Sequence, residues 1–144
     1  MIDNSTLALK WLDVLARGAG DEWAAIADPQ LSMHAPFMPA GRNGRTVGLD
    51  ANRDRVVNFW KSWKWFTFSN IEVHAAATDP DLLFVTAFSK AETVWDAPYE
   101  NQYVMRLRFR DGRVAEHLEF LNPAPVLEAF AERLTPATRP ADPG

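Results

Sequence analysis

Two titratable side chains, His117 and Glu119, stand two residues apart in the segment 114–121, VAEHLEFL. In an extended strand alternate side chains share a face, so these two point the same way. Ala115 and Leu121 lie on that parity, and Val114, Glu116, Leu118 and Phe120 on the other. Both faces are therefore partly apolar. A His and a carboxyl group placed together in an apolar interior are costly unless they are paired or serve chemistry. Such a carboxyl could take a proton from beside a carbonyl and return it elsewhere. His117 would act either as a second proton shuttle or as the group that orients Glu119.

The strand that would face them begins at Tyr99. Segments 99–110 and 114–121 flank Asp111-Gly112, a strong short-range signal for a β-hairpin. Tyr99, Asn101, Tyr103, Met105, Leu107 and Phe109 share one face of the first arm. Glu100, Gln102, Arg106, Arg108 and Arg110 take the other, with Val104 as an apolar exception. The parity sets Arg106 and Arg108 on the opposite face from Glu119, which disfavours a purely structural ion pair for that carboxyl. Tyr99, Asn101 and Tyr103 supply hydroxyl and amide groups able to hold a substrate carbonyl or a developing oxyanion.

Other candidates are more scattered. His34 lies on an early strand, just before the Pro36–Pro39 segment, and is read either as a substrate hydrogen-bond donor facing the cavity or as a strand-end surface group, while His74 reads as a surface or interface group. Trp60, Trp63 and Trp65 fall within six residues. Aromatic residues line ligand cavities and interfaces as well as ordinary cores, and Trp60, on a helix, is the candidate substrate contact among the three. Arg42 and Arg45 would guide an acidic substrate to a pocket mouth or simply stay solvated. Three His, no Cys and no HxH or HExxH spacing argue against a metal site. No phosphate-binding loop, dinucleotide fingerprint or GxSxG elbow occurs, so no cofactor is implied.

The elements that must position these groups follow from periodicity and breakers. Asn4 or Ser5 is placed to cap a first helix carrying Leu7, Trp11, Val14 and Leu15, with Gly18 at its end. A second short helix starts at Asp21 and stops near Pro29. A strand over 31–37 leads into the loop MPAGRNGRTVG and a short strand. Asp50 opens a third helix. Strands are expected over 66–77, 82–92, 99–110 and 114–121, and a short helix over 126–134. Helices first and meandering strands after them argue for an α+β fold, with a curved, mostly antiparallel sheet wrapped over three helices and a pocket between them.

The 144 residues suit one domain, 1–134, followed by a tail, 135–144, too polar and proline-rich to pack. The net charge is −4 and there is no basic stripe, so nucleic acid is not an expected partner. No apolar run approaches the roughly 20 residues of a membrane span. The amino terminus lacks the pattern of a signal peptide, and the default location is cytoplasmic.

Four pieces of the chain carry a resemblance: HAPFMPAGR from His34, NIEVHAAATDPD from Asn70, PYENQYVMRLRFRDGRV from Pro98 and EFLNPAPVLEAF from Glu119. With the amino-terminal helices, the sequence resembles the SnoaL-like set of the ketosteroid-isomerase-like (nuclear transport factor 2-like) superfamily, nearest the phenazine-biosynthesis A/B-type proteins. The resemblance implies a conical α+β fold, usually a homodimer, and cofactor-free isomerisation, cyclisation, dehydration or condensation of small cyclic substrates. It implies an acid/base role for Glu119. The His and Ser that phenazine-type proteins carry on the third helix fall at Arg55 and Phe59.

The expected activity is acid/base catalysis by Glu119 with His117 on a cyclic or polyketide-like carbonyl substrate. The competing readings are a non-catalytic pocket for a hydrophobic ligand, and a dimeric accessory protein that uses Leu118 and Phe120 on the outer sheet face as its contact.

Overall fold

The computed structural model describes residues 2–131. Helix α1 (Asn4–Arg17) is capped by Asp3, whose carboxylate accepts the Thr6 backbone N–H, one residue earlier than the caps expected from sequence. It ends at Gly18, whose left-handed φ of 71° suits a residue without a side chain. Trp60 closes over the same spot: a Cβ on Gly18 would lie 3.4 Å from its ring. Helix α2 (Gly20–Ile26) runs directly into β1 (Ala27–His34). β1 begins earlier than expected because Pro29 lies within an irregular stretch of the strand. The ladder with the last strand joins Ala27 to Val114, then resumes at Ser32 and Glu116. That gap leaves Pro29 without a ladder bond to make.

A two-residue strand β2 (Thr46–Val47) pairs antiparallel with β1, and helix α3 (Leu49–Lys61) follows. The long strands are β3 (Trp63–Ala75), β4 (Leu82–Thr93), β5 (Pro98–Arg110) and β6 (Arg113–Leu121). The sheet order is β2-β1-β6-β5-β4-β3; β1 and β6 run parallel and every other neighbour antiparallel. This is the mixed, mostly antiparallel α+β sheet that the residue patterns imply. The β5–β6 turn has Asp111 at φ 50° and Gly112 at φ 72°, the two positive values of a type I′ turn.

Besides the gap in the β1–β6 ladder, three further register shifts shape the sheet. In β3 the register shifts between Trp63 and Trp65 and again between Ser69 and Glu72, where Asn70 has φ 51°. Bulges bend an edge strand and increase its twist. The second one also breaks sequence parity, so that Phe68 faces inward while His74, six residues on, is exposed. In β6 the shift between Arg108 and Phe109 puts Val114 opposite Phe109. Val114 and Ala115 are therefore both buried, which corrects the outward parity expected for Val114.

Helix α1 fills the concave side with Leu7, Trp11, Leu12 and Leu15, against Val85, Met105 and Leu107 of the sheet. Helix α4 (Pro123–Ala129) has Pro123 in its first turn and Asn122 as its cap, so it starts before the expected 126. The end of that expected helix, 132–134, and the tail 135–144 lie outside the described residues.

Candidate active site

A cavity of about 480 Å³ lies between the sheet and the helices, a size ordinary for a small-molecule site. Phe59, Trp63, Phe66, Phe68, Tyr99 and Phe130 form much of its wall. The rings of Phe59, Trp63 and Phe66 meet edge to face at 5.2–5.7 Å between centroids. His34 at the end of β1, and Arg42 and Arg45 in the loop that follows it, also line the cavity.

Glu119 and His117 both line this cavity. His117 is buried, and its Nε2 lies 3.0 Å from Glu119 Oε1. On its other side Trp11 Nε1–H donates to His117 Nδ1 at 2.8 Å. An indole nitrogen can only donate. Nδ1 must therefore accept, and the proton of the neutral ring sits on Nε2, where it is donated to the Glu119 carboxylate. Both ring nitrogens of His117 are thus engaged within the protein, one by Trp11 and one by Glu119. A proton on Nδ1 would oppose the indole N–H. Glu119 retains 20% exposure of its side chain, and among the described residues nothing bonds its Oε2. One carboxylate oxygen is held and the other is open to the cavity.

The parity argument for Glu119 holds in detail. Arg106 pairs with Glu116 at 2.9 Å and Arg108 with Asp79 at 3.1 Å, both away from the cavity.

Tyr99 and Tyr103 line the cavity, with their hydroxyls 3.1 Å apart. Burial pushes the Tyr99 phenol up to about 12, partly offset by hydrogen bonds from Tyr103 and Asn101. Tyr103 is raised well above the ordinary phenol value, first by burial and then by electrostatic interaction with the neighbouring Tyr99 and Glu119. Both phenols therefore keep their protons. Ser89 Oγ lies 2.8 Å from the Tyr103 hydroxyl, and Asn101 Nδ2–H donates to the Tyr99 oxygen at 2.8 Å.

Two expected substrate contacts lie elsewhere. Asn101 is not part of the cavity wall. Its amide bonds the Tyr99 hydroxyl, the Asn122 carbonyl and the backbone N–H groups of Gln102 and Asn122. A side chain with all its bonding capacity spent inside the protein has none left for a ligand. Trp60 is also outside the wall. It donates to the Leu15 carbonyl at 2.8 Å and packs edge-on against Trp23, fastening α3 to α1. Trp63, not Trp60, is the cavity tryptophan, and Trp65 is exposed. His34 stands at the wall, with Nε2 3.0 Å from the Asn43 carbonyl.

Arg55 is the site residue that spacing did not reveal. Asn52, fully buried one turn earlier on α3, donates to the carbonyls of Leu31, Thr46 and Gly48 and ties the helix to β1 and β2. That clamp brings Arg55 to the cavity wall. Burial lowers the Arg55 pKa, while the nearby charge of Glu119 works against that fall. Trp11 was equally hidden, because its contact with His117 spans 106 positions of sequence. Among the described residues no three His, Cys, Asp or Glu side chains converge as a metal site would require.

A family model for the SnoaL-like domain matches residues 8–117. The chain belongs to the SnoaL-like domain family. The matched span includes Trp11, Arg55, Tyr99, Tyr103 and His117 and stops just short of Glu119. A sequence relative, the uncharacterized protein YesE of Bacillus subtilis (strain 168), is 24% identical over 108 residues, 75% of this chain and 74% of YesE.

Solved structures share the SnoaL-like fold at low identity. A Bacillus subtilis protein provisionally called an isomerase superposes with a TM-score of 0.79 at 21% identity, over 86% of this chain and 89% of that one. The phenazine biosynthesis-related protein PhzB2 of Pseudomonas aeruginosa gives 0.74 at 18%, over 89% and 84%. A Pseudomonas putida KT2440 protein provisionally called a polyketide cyclase gives 0.77 at 10%, over 90% and 98%. The fold and the family resemblance drawn from the sequence are thus shown.

Proposed function

We propose that this SnoaL-like protein is a cofactor-independent enzyme in which Glu119 moves a proton on a small cyclic or polyketide-like carbonyl substrate. The observation that carries the reading is the chain Trp11–His117–Glu119, which holds one carboxylate oxygen and leaves the other open in an aromatic cavity. A positioned carboxylate of this kind is what general base catalysis requires. A phenol hydroxyl of the Tyr99–Tyr103 pair supplies the donor for the carbonyl oxygen as charge develops on it. His117 acts through Glu119, with its Nδ1 held by the Trp11 indole.

Exchange of protons beside the carbonyl of cyclic ketones into deuterated water, followed by NMR, tests this without knowledge of the natural substrate. Glu119→Gln should reduce catalysed exchange by about 10²–10⁴-fold, the usual worth of a general base, with an unchanged melting curve. Full exchange in a folded Glu119→Gln protein would refute the assignment. The aromatic wall supports a second reading, a binding module for a hydrophobic ligand. That module would show saturable binding of a ligand with no exchange in the wild type.

The outer face of the sheet supports assembly as a homodimer. Val104 sits between Thr86 and Phe120 in the ladders, and Phe84 and Phe88 flank Thr86 on the same face. Val104, Phe84 and Phe88 are all exposed. A contiguous apolar patch of this kind marks a contact surface.

A further inference from the structure

Asn43 and Gly44 form the only Asn-Gly pair in the chain, and they lie in the loop between β1 and β2 that lines part of the cavity. Both residues are exposed. Among the described residues nothing bonds the Asn43 side-chain amide, and no acceptor takes the Gly44 N–H. A Cβ built on Gly44 would meet nothing within 4 Å. With no side chain of its own, Gly44 leaves its nitrogen open to the Asn43 side chain beside it. The chain to either side is anchored. The Arg42 N–H donates to the Pro39 carbonyl at 2.9 Å, and Arg55 Nη1 lies 3.4 Å from the Gly44 carbonyl.

The main-chain carbonyl of Asn43 is also held. His34 Nε2 lies 3.0 Å from its oxygen. A carbonyl oxygen only accepts, so Nε2 is the donor. When a peptide nitrogen gives up its proton, the negative charge spreads to the oxygen of the same peptide group. For the Gly44 nitrogen that oxygen is the Asn43 carbonyl. A donor already in place where charge develops is what stabilises such a step. Arg42, Arg45 and Arg55, all at the cavity wall, make the surroundings cationic and favour it further.

The geometry points to Asn43 as a self-modifying site that converts to aspartate and isoaspartate with the help of His34. The Gly44 nitrogen loses its proton to water and bonds to Asn43 Cγ. Nδ2 leaves as ammonia, and a succinimide ring remains. Water then opens the ring at either carbonyl. Opening at Cγ gives aspartate; opening at the main-chain carbonyl gives isoaspartate, whose backbone runs through Cγ and is one methylene longer. The sum is one water taken up and one ammonia released, with no oxidant or cofactor. Each product sets a carboxylate in sequence between Arg42 and Arg45, which have no ion-pair partner among the described residues. A cationic stretch of the cavity wall thereby loses part of its pull on anions. The inference is independent of the catalytic reading of Glu119.

The test is ageing of the full chain in neutral buffer beside a synthetic peptide of residues 38–48, followed by peptide mapping and enzymatic methylation of isoaspartate. Asn43 should gain about 1 Da, and should do so faster in the folded chain than in the peptide. Asn58 and Asn70, also exposed but followed by Phe59 and Ile71, should stay intact. Slower conversion in the folded chain than in the peptide would overturn the proposal. His34→Ala should slow conversion by about three- to tenfold, the worth of one hydrogen bond. His34→Gln, which keeps a donor, should slow it less. An undiminished rate in folded His34→Ala would overturn the part given to His34. Should neither variant fold, the His34 imidazole resonances of the ageing wild type decide. They should divide into two sets as isoaspartate accumulates, because the lengthened backbone changes what meets Nε2, and a single unchanged set would overturn that contact.

Discussion

His117 shows how much one contact decides at the scale of a residue. An imidazole beside a carboxylate can relay a proton or hold its neighbour still, and the choice depends on what meets its other nitrogen. The Trp11 indole meets Nδ1 and donates to it. Removing that donor by Trp11→Phe should cost about 1–3 kcal/mol, from one buried acceptor left unsatisfied with some loss of packing. Chemical denaturation measures that cost. A purely structural role would stop there. Long-range nitrogen–proton correlation spectra of the imidazole supply the further readout. The wild-type ring should carry its proton on Nε2, and Trp11→Phe should populate the Nδ1–H form as well. A wild-type ring protonated on Nδ1 would overturn the assignment of His117 as a positioning residue.

Among the elements, the β5–β6 hairpin carries most of the site, and its far end needs fastening. Asn101, near the start of β5, accepts from the Asn122 N–H and donates to the Asn122 carbonyl. This double bond to the residue after β6 fixes where the strand ends and where α4 begins. It also holds the Tyr99 hydroxyl. Asn101→Ala strands these groups in the interior, and the expected loss is about 2–3 kcal/mol, the upper part of the range for an unsatisfied buried polar group. Thermal or urea unfolding reads it. A loss below about 0.5 kcal/mol, the range of ordinary surface substitutions, would show that water replaces those bonds. Alternation made the inward face of β5 legible in advance. It could not show that the inward Asn was already saturated by the backbone of another element.

At the scale of the whole molecule, the sheet has an aromatic concave side and an apolar patch on its outer side. Val104 lies at the centre of that patch and is 46% exposed. A twofold contact would place this surface against its own copy. Sedimentation equilibrium should report a dimer for the wild type and a monomer for Val104→Lys, since a lysine at the centre would bury a like-charged pair. A wild type that stays monomeric at high concentration would rule out this interface. None of the described helices is long and apolar enough to cross a membrane.

Local pattern alone determined the element order, the type I′ hairpin, the shared face of His117 and Glu119, and the exclusion of Arg106 and Arg108 from that face. Each of these rests on side-chain alternation or turn chemistry, properties that neighbouring residues set among themselves. Tertiary structure decided the rest. Bulges at Asn70 and Val114 reversed the expected facing of particular side chains, because an extra residue in one strand is defined only against its partner. Trp60 and Asn101 became fasteners, and Trp63 and Arg55 became cavity wall, according to which distant carbonyls and helices lay within reach. The tautomer of His117 is set by a helix more than 100 positions away in sequence. A strand specifies which side its residues face, and the packing of the other elements specifies what they find there.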